Sequence, residues 1–127
     1  PTSRLQGSNV RVGVGGVLQY GSYIGTDTVL GDYVVLVASV LIGPGCTLGD
    51  YSTCNPGTKL SGDNVVGEGA YLGTNTVLNE GVSIENGVTT GAQTCVIKDV
   101  TEPNVTVVGV PSRIVKQERG HDSTPVG

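Results

Sequence analysis

The sequence predicts an all-β chain wound as a parallel β-helix, a solenoid of short strands with flat sides, and three observations carry that prediction. Stepping by six from Val12 reaches Leu18, Ile24, Leu30, Leu36, Ile42, Leu48, Cys54, Leu60, Val66, Leu72, Leu78, Ile84, Thr90 and Val96, and 13 of these 15 positions are Val, Ile or Leu. The column two residues earlier, from Val10 to Thr94, is small or β-branched throughout except at Asn64. Glycine follows the large aliphatic in eight of the 15 hexads and recurs three residues after it, at 15, 21, 45, 57, 69, 81 and 87. A period of six fits neither the 3.6 of a helix nor the 2 of an isolated strand, and it is a signature of a solenoid that turns a corner every six residues. Both apolar columns then face inward, and glycine supplies the positive φ or close backbone approach that corners demand.

Taken in order, Pro1 to Asn9 is polar and is expected to cap the first coil, because a solenoid end is an open sheet edge. Residues 10–101 form the repeat; at three hexads per coil this is about five coils, or about 24 Å at the ~4.8 Å spacing of neighbouring strands. After Val96 the register gives way to Lys98-Asp99 and Glu102-Pro103-Asn104. Residues 102–127 are read as one more strand from Val105 to Val110, a Gly109-Val110-Pro111 turn and a terminal tail. Nothing marks a second domain.

Composition narrows the function classes. With 21 Gly, five Tyr and no Phe, Trp or Met, a conventional aromatic core is excluded, whereas a solenoid needs only a narrow aliphatic stack. A net charge of −4 argues against nucleic acid and acidic membrane surfaces as partners. No apolar run approaches the ~20 residues of a membrane-spanning helix, and no signal-peptide pattern is present. Three cysteines without a CxxC spacing suit a reducing cytoplasm. Cys46 and Cys54 fall on inward columns and read as core, while Cys95 falls on an outward position.

Three segments carry a more specific likeness: Gly67-Glu68-Gly69-Ala70-Tyr71-Leu72-Gly73, Val96-Ile97-Lys98-Asp99-Val100, and Val107-Val108-Gly109-Val110-Pro111-Ser112-Arg113. From about Val10 to Lys116 the chain resembles the hexapeptide-repeat acyltransferases of the sialic-acid O-acetyltransferase type, which include enzymes that N-acetylate nucleotide-linked amino sugars. The resemblance implies a left-handed β-helix; crossover rules alone favour the right hand. It also implies a homotrimer with acetyl-CoA in the groove between two prisms, acting on a small amino or hydroxy sugar without a metal. The apolar outward residues Val35, Val37 and Leu41 point to the same self-association.

Carried over residue by residue, Gly62 in Lys59-Leu60-Ser61-Gly62-Asp63 matches the glycine whose N–H meets the thioester carbonyl. A donor of that kind stabilises the charge developing in the tetrahedral intermediate, typically by ~2.7–4 kcal/mol. Gly73-Thr74 and Gly91-Ala92 match later turns of the cofactor groove, and Pro111 and Arg113 match its nucleotide end. The alternative reading makes these glycines plain corners. Lys98, Arg113, Lys116 and Arg119 place four of the seven basic residues at this end, for CoA phosphates or as an ordinary solvated surface.

The chain departs from the family at its general base. Ahead of Gly49-Asp50-Tyr51 the family carries a histidine, and here the turn is Gly43-Pro44-Gly45, with Pro44 in the histidine's place. A second family histidine corresponds to Thr53, which can hydrogen-bond a substrate but cannot act as a base near neutral pH. Asp50 and Asp63 are chemically capable of the role, yet Gly-Asp pairs at corners are commonly structural. The one histidine, His121, lies in the tail. Loss of a base predicts a penalty of ~10²–10⁴-fold for transfer to a hydroxyl, and less for transfer to an amine delivered neutral.

Two functions from different classes follow: an acetyl-CoA-dependent acyltransferase, or a catalytically degenerate trimeric prism that serves as a scaffold or partner-binding protein. A zinc carbonic anhydrase on this fold needs three histidine ligands, which one tail histidine cannot supply. An ice-binding ladder is excluded because Thr26-x-Thr28 meets Pro44 and Cys46 one coil later. Gly13-x-Gly15-Gly16 has no following helix pattern and reads as corners rather than a dinucleotide loop.

Overall fold

The computed structural model describes residues 5–117. The short strands stack into three parallel sheets that form the sides of a triangular left-handed β-helix. Face A is built from Leu5–Gln6, Tyr23–Ile24, Leu41–Ile42, Lys59–Leu60, Val77–Leu78 and Cys95–Val96. Face B comprises Arg11–Val12, Val29–Leu30, Thr47–Leu48, Val65–Val66 and Ser83–Ile84. Face C begins with Val17–Leu18, Val35–Leu36, Thr53–Cys54, Tyr71–Leu72 and Thr89–Thr90. The register advances 18 residues per coil without slippage, as in Leu41 opposite Lys59 and Lys59 opposite Val77.

Each two-residue strand turns its second residue inward, and from Ile24 to Val96 every member of the large column is buried. The small column is buried from Ser22 to Thr94, its hydroxyls bonded to corner carbonyls, as Thr28 Oγ1 is to Gly43 O at 3.2 Å. Val12 departs from expectation at 44% exposure, and Leu18 is only partly covered. The reason is position: among the described residues no strand of face B or face C stacks beneath Val12 and Leu18, so these two lack a neighbour on one side. Leu5–Gln6, within the segment expected to cap this end, pairs with Tyr23–Ile24 as one more strand of face A. Pro1 to Arg4 lie outside the described residues.

The two glycine columns answer different demands. At Gly43 the backbone is not left-handed, but a Cβ there would lie 2.5 Å from the carbonyl oxygen of Ser61 in the next coil. At Gly69 the space is open and the requirement is a φ of +70°. Tyr33, Tyr51 and Asp63 occupy the same left-handed corner position with φ of 58°, 63° and 52°.

At the C-terminal end Val100 bridges to Ile84, and Val105–Val108 stacks in parallel on Thr89–Thr90. Arg113–Gln117 then folds back antiparallel over Val105–Val108, with Val108 opposite Arg113. The peptide joining Val110 to Pro111 is cis. No helix is long and apolar enough to cross a membrane among the described residues.

Candidate functional site

The three corners of the prism organise the candidate residues. The corner between faces C and A carries Gly73-Thr74 and, one coil above, Gly91-Ala92. The Gln93 amide donates to Thr74 O at 2.8 Å, so the two turns are stacked rather than merely parallel. The Gly109–Ser112 turn continues the column: Cys95 N donates to Gly109 O at 3.0 Å, and Ser112 N donates to Cys95 O at 2.9 Å. Pro111 and Arg113 are both exposed there. They line a cleft of about 340 Å³ together with Lys98, Asp99, Glu102 and Ile114. Lys98 and Arg113 thus share one opening; the Lys116 side chain, Arg119, His121 and the tail lie outside the described residues.

The corner between faces A and B carries Gly43-Pro44-Gly45, with Ser61-Gly62-Asp63 directly above it. Pro44 is exposed, and its carbonyl accepts the Asp63 amide at 2.8 Å. Ser61 and Asp63 are exposed while Gly62 between them is recessed and buried, with a φ of 142°. The Gly62 amide does not point outward: it donates to Asn64 Oδ1 at 3.0 Å. Asn64 is fully buried and completes the corner from inside, donating through Nδ2 to Asn79 O at 2.7 Å and Val82 O at 2.9 Å. Its departure from the small-residue column is therefore a polar brace spanning two coils.

Thr53 is on face C, half-buried, with Val35 below it and Tyr71 above it in register. It lies nine residues from Gly62, half of an 18-residue coil, so the two sit on opposite sides of the prism. One chain therefore does not gather the candidate residues into one pocket. The structure assembles the C/A column with the C-terminal turn, and holds Gly62 and Thr53 apart from each other. Tyr71, half-exposed above Thr53, is a polar aromatic next to a candidate residue, and its spacing of 18 from Thr53 is the signal in the sequence that places it there.

The carboxylates differ in commitment. Asp50 Oδ1 accepts the Asp32 amide at 2.7 Å and is half-buried, a structural corner bond. Asp63 stands exposed over the Pro44–Gly45 turn. Neither buried thiol is a nucleophile at neutral pH: burial pushes Cys46 above its ordinary value and Cys54 up to about 12.

No protein-family model and no curated protein sequence matches the chain. Solved structures do match. The acetyltransferase domain of PglB from Neisseria gonorrhoeae superposes with a TM-score of 0.86 at 25% identity, over 89% of this chain and 55% of that one. A histidine-to-alanine variant of GDP-perosamine N-acetyltransferase from Caulobacter crescentus, solved with CoA and GDP-perosamine, gives 0.85 at 30% identity over 91% and 54%. AntD, an N-acyltransferase from Bacillus cereus solved with dTDP and 3-hydroxybutyryl-CoA, gives 0.85 over 92% and 78%, and at 14% identity that likeness is of fold alone. The structural neighbours are hexapeptide-repeat sugar N-acetyltransferases, and this chain spans about half the length of the first two.

Proposed function

We propose that the chain is the catalytic prism of an acyltransferase that moves an acetyl group from acetyl-CoA to the amine of a sugar. The observation that supports this best is the 91% of the chain that superposes on an N-acetyltransferase holding CoA and an amino-sugar nucleotide, at 30% identity. In this reading the pantetheine arm runs along the C/A corner at Gly73-Thr74 and Gly91-Ala92, and the nucleotide end reaches Pro111 and Arg113. Lys98 and Arg113 supply the positive charge that CoA phosphates require.

The reaction follows from what the site holds and lacks. A neutral amine attacks the thioester carbonyl, the C–N bond forms, the C–S bond breaks, and the CoA thiolate leaves with the proton that the amine gives up. Gly62 keeps its place in this reading as the recessed turn beside the thioester, while its own amide is bonded inward to Asn64 Oδ1. Asp63 offers the neutral amine a hydrogen-bond acceptor that orients its lone pair, and Thr53 with Tyr71 offers hydrogen bonds to the sugar. Pro44 supplies no base, which favours an amine over a hydroxyl as acceptor. No metal is part of this proposal, and the proposed setting is the cytoplasm.

Because Gly62 and Thr53 lie on opposite sides of one prism, the active form is proposed to be a homotrimer in which neighbouring copies complete each site. Of the outward residues expected to drive this, Val35 lies on face C, Val37 on the C/A corner and Leu41 on face A, so they do not form one patch. The second reading, a trimeric scaffold without catalysis, is favoured by one observation: Pro44 stands at the base position beneath a Gly62 amide already bonded inward. Release of CoA thiol from acetyl-CoA, measured against a panel of amino sugars and their nucleotides, separates the two. Sugar-dependent release supports the transferase; no release from an assembled, CoA-binding protein supports the scaffold.

A further inference from the structure

We infer that the peptide joining Ser61 to Gly62 is a two-position switch, and that Asn64 is the positioning residue that holds it closed. In the closed position the Gly62 N–H faces the core; turned over, it faces the thioester. The inference rests on the proposed function for what the amide serves, and on the hydrogen bonding of the corners for the switch itself.

The corners share a bonding scheme. The first residue of a turn points its carbonyl inward to a hydroxyl of the small column: Ser52 donates to Gly49 O at 2.8 Å, Thr58 to Asn55 O at 2.8 Å and Thr94 to Gly91 O at 2.7 Å. A hydroxyl of the coil below does the same, from Ser22 to Val37 O at 3.1 Å and from Thr28 to Gly43 O at 3.2 Å. The second residue sends its N–H along the corner to a side-chain oxygen 18 residues on. Val14 donates to Asp32 Oδ1 at 3.0 Å, Asp32 to Asp50 Oδ1 at 2.7 Å and Glu68 to Asn86 Oδ1 at 2.8 Å. Carbonyl in and N–H out go together, because the two groups point opposite ways across a planar trans peptide.

At Ser61 and Gly62 this peptide is reversed. Its N–H points inward to Asn64 Oδ1 at 3.0 Å, and Ser61 O lies over Gly43 of the coil below, 2.5 Å from where a Cβ would stand. Gly62 has a φ of 142°, whereas no other residue at this turn position from Ser8 to Ala92 has a positive φ. Side chains of L residues are excluded from that conformation and glycine is not. Gly62 can therefore adopt both orientations.

The neighbours explain the reversal. Asn64 stands where Ser52, Thr58 and Thr94 carry a hydroxyl, and the bonds from its Nδ2 to Asn79 O and Val82 O fix the direction of its carboxamide. Oδ1 is left facing the turn, and an acceptor there demands an N–H rather than a carbonyl. Cys46 takes for Ser61 the place that Thr28 takes for Gly43, and a thiol is a weak donor to an inward carbonyl. The closed position thus withholds the Gly62 amide from the oxyanion. Opening gives it the orientation that the other corners already have, and no atom outside its two chain neighbours lies within 3.4 Å of the space a Cβ would occupy. Turnover then follows the fraction of chains with the peptide open.

Amide hydrogen exchange and turnover of the unmodified chain and two variants test the inference. In the unmodified chain the Gly62 amide should exchange as slowly as that of Gly43, which is bonded to Leu60 O at 2.7 Å. Asn64→Thr exchanges the acceptor for a hydroxyl that can donate to Ser61 O. Gly62→Ala excludes the φ of 142° and leaves the Asn64 bonds to Asn79 and Val82 in place, so it serves independently should the first variant fail to fold. Each should open the peptide and bring exchange at position 62 to the rate of an exposed amide. CoA release from acetyl-CoA, with the amino sugar that is fastest in the panel above, should rise ~10- to 10²-fold in kcat at unchanged KM for acetyl-CoA, since the bond is made only in the transition state. Fast exchange at Gly62 in the unmodified chain, or slow exchange at that position in either folded variant, overturns the switch. Fast exchange without a gain in kcat, in a chain that does transfer acetyl, overturns its part in catalysis. No CoA release from any of the three removes the transferase reading, and the exchange rates still decide whether the peptide turns over.

Discussion

Inside the prism the side-chain oxygen of Asn64 accepts the backbone N–H of Gly62 at 3.0 Å, while its amide nitrogen donates to the carbonyls of Asn79 and Val82. One side chain thereby completes a corner in its own coil and the corner above. An apolar replacement leaves the Gly62 donor and the Val82 carbonyl without their side-chain partner, at ~1–3 kcal/mol each before relaxation, while the Asn79 carbonyl keeps the Val82 amide at 3.1 Å. Asn64→Leu is therefore expected to destabilise the fold by at least ~2 kcal/mol in chemical denaturation, and a loss near zero would show that the brace is dispensable.

The contrast between Gly43 and Gly69 makes a paired prediction. An added methyl at Gly43 meets the Ser61 backbone, which is fixed by its own ladder bonds and cannot move aside. At Gly69 nothing lies within 4 Å, and only the left-handed backbone is penalised. Thermal melts should show Gly69→Ala costing ~1–2 kcal/mol and Gly43→Ala costing clearly more. Equal effects would mean that the corners relax freely.

Much of this was legible in the residues themselves. The unbroken column from Ile24 to Val96 defines which side chains face inward, and the 18-residue coil then assigns each hexad to a face. What the pattern could not display was the end effect at Val12, because periodicity says nothing about whether a coil has a neighbour beneath it. Nor could it show the inward hydrogen bond of the Gly62 amide, since that depends on the direction of an asparagine side chain two residues away. The separation of Thr53 from Gly62 was available as arithmetic, half a coil apart, once three hexads per coil was accepted.

Burial of Cys54 links stability to alkaline pH. Its thiol is raised from 9.0 to about 12 by desolvation first, with a smaller push from Cys46. The folded state thus favours the protonated thiol, so the contribution is fully present below pH 9 and is lost as pH rises from there toward about 12. Denaturation profiles should fall by up to ~1.4 kcal/mol per pH unit in that window. Cys54→Val should flatten part of that slope; an unchanged slope would assign it to other groups.

At the cofactor end, Arg113→Ala should weaken CoA binding roughly 10- to 150-fold if its guanidinium meets a phosphate, the equivalent of ~1.5–3 kcal/mol for a charge-assisted bond. Unchanged affinity would remove that role. Pro44→His asks a separate question: a gain in acetyl transfer with unaltered CoA affinity would show that the absent base limits turnover, and no gain would place the limit in the acceptor site.

The central claim is that this prism binds an acyl-CoA. Calorimetric titration of the assembled protein with acetyl-CoA tests it most directly, and the account predicts saturable binding at one site per chain that weakens in Arg113→Ala. An absence of heat at millimolar acetyl-CoA, from a protein that melts cooperatively and sediments as a trimer, would contradict it.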